Sequence, residues 1–134
     1  METKQLDELI SQLESHVECW KQFNQFLSLA RAKKFTQDDE LQFLEVKSVL
    51  CQELEQILAA IESGGPSREE VRTLIANAPS IRYLSELQEG SLRTLENQWH
   101  QVFLSWQSIL GQLKVQRKKL NGGAFFGSLL GKKK

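Results

Sequence analysis

The sequence predicts an all-α protein: an elongated three- to four-helix antiparallel bundle with a long C-terminal helix and a flexible basic tail. Three observations predict it. Apolar residues recur in alternating steps of three and four over long stretches, the signature of helices with one buried face. Two prolines in 134 residues leave those stretches almost unbroken. Where breaks do occur, as at Ser63-Gly64-Gly65-Pro66, they carry the residues that stop helices.

The first helix is expected from about Thr3 to Lys33. Its stripe is Leu6, Ile10, Leu13, Val17, Trp20, Asn24 and Leu27, with Leu9, His16, Phe23 and Ala30 along one edge. Thr36 then has the form of an N-cap, and Asp38, Asp39 and Glu40 fill the first turn that follows. The second helix is expected from about Gln37 to Glu62, with Phe43, Leu50, Leu54, Ile57 and Ile61 as its stripe. Lys47 interrupts that stripe and is expected to snorkel to water. So short a connection makes the first two helices an antiparallel hairpin.

Ser67 and Glu70 form a capping box for a short third helix, about Ser67 to Asn77, with Val71, Leu74, Ile75 and Ala78 on one face. Pro79-Ser80 restarts the chain. The fourth helix is expected from about Ile81 to Leu120. Leu92, Leu95, Trp99, Val102, Trp106, Ile109 and Leu113 line it in strict 3/4 steps, and Phe103 and Leu110 widen the stripe. Ile81, Leu84 and Leu87 do not share that register, so a kink or break is expected near Gly90. Asn121-Gly122-Gly123 is expected to stop the helix. The expected organisation is therefore a helical bundle over residues 1–121 and a flexible basic and aromatic tail over residues 122–134.

Charge is unevenly spread. Residues 1–96 hold 10 Lys/Arg and all 17 Asp/Glu, a net charge of −7; residues 97–134 hold 7 Lys/Arg and no acid, a net charge of +7. The apolar runs are too short to cross a membrane. The opening Met-Glu-Thr-Lys-Gln lacks the basic and apolar regions of a signal peptide, so the expected location is cytoplasmic.

Catalytic and ligand motifs are not found. The chain has no phosphate-binding G-x-x-x-x-G-K-[ST] loop and no G-x-G-x-x-G turn. His16, His100, Cys19 and Cys51 together match the inventory of a tetrahedral zinc site, but the close Cys-x2–4-Cys and His-x3–5-His pairs are missing. No metal and no cofactor are expected, both thiols are expected to be free, and the chain is not expected to be an enzyme. Nucleic acid is not an expected partner, because the cations gather at one end instead of spreading over a face.

The tail holds the candidate binding residues. Phe125, Phe126, Leu129 and Leu130 fall on one side of a helical turn; Lys132, Lys133 and Lys134 follow, and Arg117, Lys118 and Lys119 precede. An apolar patch between cations suits an anionic membrane surface or an acidic protein groove. The function expected is that of a non-catalytic adaptor or chaperone binding a partner's amphipathic helix or peptide. Two alternatives stand beside it. One is a peripheral protein docking to an anionic membrane or acidic partner surface through the tail; the other is a self-associating structural subunit, in its simplest form a homodimer.

Leu9 to Leu27, the stretch Leu41-Gln-Phe-Leu-Glu-Val-Lys47, Leu74-Ile75 and the closing Lys119-Leu-Asn-Gly122 also carry a likeness. In this helical plan the chain resembles the small flagellar export chaperones that escort hook-associated proteins. The resemblance implies an all-α fold and a role in holding a protein partner.

Overall fold

The structure, a computed structural model, describes the backbone of residues 2–61 and 63–133 and the side chains of residues 2–61 and 63–121. Five helices follow one another: α1 (Thr3–Ala32), α2 (Gln37–Ala60), α3 (Arg68–Ala76), α4 (Ile81–Ser85) and α5 (Glu89–Lys133). No strand occurs among the described residues, so the fold is all-α.

The helix ends follow local chemistry. Lys33 closes α1 in the left-handed conformation at φ 57°. Thr36 and Asp39 form a reciprocal box at the start of α2: Asp39 N–H donates to Thr36 Oγ1 at 3.1 Å, and Thr36 N–H donates to Asp39 Oδ2 at 2.8 Å. Ser67 and Ser80 accept from the N–H groups of Glu70 and Tyr83, each at 3.0 Å, and so cap α3 and α4.

Ion pairs and hydrogen bonds fix the directions. His16 and Gln12 of α1 meet Glu53 and Gln56 of α2, so these two helices run antiparallel. Arg68 and Arg72 of α3 meet Glu55, and Lys47 meets Ala78 just beyond the end of α3, so α3 runs antiparallel to α2. Arg31, near the end of α1, pairs with Glu89 and Glu96 near the start of α5; Asp7 and Glu14 pair with Arg117 and Lys114. α5 therefore runs antiparallel to α1.

The hub of the packing is α1, not the last helix. It lies against α2, α4 and α5, whereas α5 packs on α1 and α3. The reason is the width of its buried arc: both the Leu6–Leu13–Trp20–Leu27 row and the Leu9–His16–Phe23–Ala30 row are inside. Trp99 ties α5 to this hub, its indole N–H donating to the Trp20 carbonyl at 2.9 Å.

The expected break near Gly90 is present, whereas the expected end of the last helix needs correction. The stretch from Ile81 is two helices, with Glu86-Leu87-Gln88 between them. The break falls just before Gly90; Ile81 and Leu84 before it and Leu92 and Leu95 after it are all buried, and both helices pack on α1. The expected stop at Asn121-Gly122-Gly123 is not there: the backbone of α5 stays helical to Lys133. Glycine in a helix interior costs about 1 kcal/mol against alanine but creates no clash, so two glycines weaken a helix without ending it.

Between α2 and α3 the chain turns through Gly64 and Gly65, at φ +89° and +80°. The turn lies flat on α5, and a Cβ on Gly64 would collide with Ile109 Cδ1. Only glycine meets both demands, positive φ and close approach. No helix among the described residues is long and apolar enough to cross a membrane.

Candidate functional site

Two buried polar groups are the first places to look for chemistry. His16 is fully buried where α1, α2 and α5 meet. Its Nε2 accepts from Trp20 Nε1–H at 3.1 Å, which leaves the proton on Nδ1 to donate to Glu53 Oε1 at 2.9 Å. Burial holds its pKa below the ordinary imidazole value of 6.5, against the opposing pull of Glu53. The trio has the form of a base with an orienting carboxylate. Both ring nitrogens, however, are occupied by protein groups, and no substrate atom can reach them.

Lys47 is the second, and it corrects an expectation. Its ammonium does not snorkel out: the side chain is buried, and Nζ donates to the carbonyls of Ala78 and Pro79 at 2.9 and 2.7 Å. It also lies over the Phe43 ring, 4.7 Å from the centroid. Burial lowers its pKa, and Glu40 opposes that. Lys47 clamps the link between α3 and α4, and Glu40 completes the clamp by accepting from Ile81 N–H at 2.7 Å and Arg82 N–H at 3.1 Å.

The candidate zinc inventory is dispersed. His100 is exposed, Cys19 is half-buried and Cys51 is exposed, with neither thiol in a disulfide. Among the described residues no group of three or more His, Cys, Asp or Glu could hold a metal.

The predicted binding residues are placed in part. Arg117 turns back onto the bundle, Nε to Asp7 Oδ1 at 2.5 Å and Nη1 to Asn121 Oδ1 at 2.6 Å. Lys118 and Lys119 are exposed. The side chains of Phe125, Phe126, Leu129, Leu130, Lys132, Lys133 and Lys134 lie outside the described residues.

What the structure adds is the back of α5. Leu104, Ser108, Gly111 and Val115 recur at steps of four, three and four, so they share one face, turned away from the buried stripe. All four are exposed, Leu104 and Val115 to 52% each despite their size. A shallow depression of about 670 Å³ runs along this face, lined by Ser108, Gly111, Gln112, Val115, Gln116 and Lys119. Its floor is low because Gly111 has no side chain.

Gly111 is an exposed glycine in mid-helix. Its backbone is ordinary helix, and a Cβ built on it meets nothing within 4 Å among the described residues. Alanine there would gain about 0.5–1 kcal/mol of helix stability. Gly90, near the start of the same helix, likewise meets nothing within 4 Å among the described residues, so the open space at Gly111 marks its exposure. This second stripe escapes a search for apolar periodicity, since two of its four members are Ser and Gly. The signal that could have found it is a lone glycine in mid-helix at the spacing of exposed Leu and Val.

No protein-family model, curated protein or solved structure matches this chain.

Proposed function

We propose that the chain is a non-catalytic adaptor or chaperone that holds an amphipathic helix of a partner protein against the outward face of α5. The observation that carries this reading is Gly111: an exposed helix-interior glycine between Leu104 and Val115, with no described residue within 4 Å of where a Cβ would stand. A partner side chain of leucine size fits over the missing Cβ, and the exposed amides of Gln112 and Gln116 offer hydrogen bonds at the rim. From Leu104 to Lys119 the face is about 22 Å long, four turns of a partner helix. The likeness of the helical plan to flagellar export chaperones points the same way. The hydrogen-bonding capacity of His16 is used up internally, which supports a role without catalysis.

Gly111→Leu tests the reading. It fills the depression and raises helix propensity, so the melting temperature should hold or rise. Binding of a four-turn amphipathic peptide with a leucine stripe, followed by fluorescence anisotropy, should weaken at least tenfold. If the variant binds as tightly as the parent, the face is not the docking site.

A further inference from the structure

We infer that the helix seated on the back of α5 is acidic, with its carboxylates gathered at the end that lies over Lys118 and Lys119. This rests on the helix-docking reading above and adds the chemistry of the partner.

Charge decides it. From residue 97 onward the chain holds seven Lys/Arg and no Asp or Glu. Two of these cations are matched within the bundle, Lys114 by Glu14 at 3.2 Å and Arg117 by Asp7 at 2.5 Å. Lys118 and Lys119 are exposed, and Lys119 lines the depression itself. The remaining lining residues are neutral: Ser108, Gly111, Gln112, Val115 and Gln116. A helix lying from Leu104 to Lys119 therefore meets neutral contacts at one end and two lysines at the other. An acidic helix gains there and is held in one polarity; a basic helix is repelled.

The same charges rank the other occupants. A second copy pairing antiparallel through this face would lay residues 114–119 on themselves or on residues 97–113, and neither stretch contains a carboxylate. A lipid surface favours a continuous convex apolar strip. This face offers Leu104 and Val115, eleven residues apart, with only Ser108 and Gly111 between them on the same stripe.

The experiment uses the full chain and two synthetic four-turn peptides with the same leucine stripe, one carrying Glu and the other Lys on its polar positions. At low salt the Glu peptide should bind at least tenfold tighter. That advantage should shrink at about 0.5 M salt, where the screening length falls to a few ångströms. The double variant Lys118→Glu, Lys119→Glu should reverse the preference, and both substitutions lie on exposed positions. Equal binding of both peptides to both proteins would overturn the charge inference while leaving helix docking intact. Binding of neither peptide would overturn docking itself. Displacement of bound Glu peptide by vesicles of anionic lipid, undiminished in Gly111→Leu, would make the surface a lipid site and overturn both.

Discussion

Trp20 and Trp106 are both fully buried, yet their indole nitrogens are treated differently. Trp20 Nε1–H donates to His16, while Trp106 Nε1 has no hydrogen-bond partner among the described residues. Trp20→Phe loses volume and also strands the His16 acceptor; Trp106→Phe loses similar volume but removes a donor that was unmatched. The first should be the more destabilising by about 1–3 kcal/mol, the cost of an unsatisfied buried group, as read from urea denaturation. His16 gives the core a pH dependence. Its folded pKa lies below 6.5, so in the range just beneath that value the unfolded chain binds the extra proton and the folded chain does not. Stability should therefore fall as pH drops below about 6.5, and the fall should flatten in His16→Gln. Melting curves at stepped pH would show it, and an unchanged slope in the variant would assign the effect elsewhere. Glu55 and Glu89, held low by Arg68 and Arg31, lose their charge only below the ordinary carboxylate range, so their contribution falls in a more acidic window. The stripes told which residues go inside, and Trp20, Leu50, Trp106 and Ile109 are there. They could not tell that His16 would meet Glu53 or that Lys47 would stay in, because those partners stand 37, 31 and 32 residues away.

At the level of elements, the junctions were more legible than the faces. Thr36, Ser67 and Ser80 cap the helices that their sequence context announces, and Ser63-Gly64-Gly65-Pro66 does divide α2 from α3. Local chemistry governs such sites, and a few neighbouring residues contain it all. The break between α4 and α5 was legible as a change of register, though not to the residue. What no local rule contains is the use of α2 as a clamp. Glu40 and Lys47 are seven residues apart, hence on one face, and they hold the α3–α4 link by its N–H groups and its carbonyls. The Gly64 turn offers a test at this scale. Gly64→Ala must adopt positive φ and displace Ile109, so it should destabilise by about 1–3 kcal/mol in thermal or urea unfolding. Gly111→Ala, with open space and ordinary helical backbone, should stabilise instead.

Across the whole molecule, sequence order and spatial order are at odds. The hub comes first in the chain, and one of its main partners comes last. Trp99 reaches Trp20 across 79 residues, and Arg117 reaches Asp7 across 110. The fold class could be read from periodicity, but the choice of hub could not, because periodicity describes one helix at a time and not which helices share a face. This ordering has a consequence during synthesis. At roughly 5–20 residues per second, the ribosome adds the Trp99 region about 4–16 s after the Trp20 region. The α1–α2 hairpin can close early through near contacts, but the side of α1 destined for α5 stays bare in the meantime. The nascent chain thus exposes Val17, Trp20 and their neighbours for seconds, and completion waits on its most distant contacts.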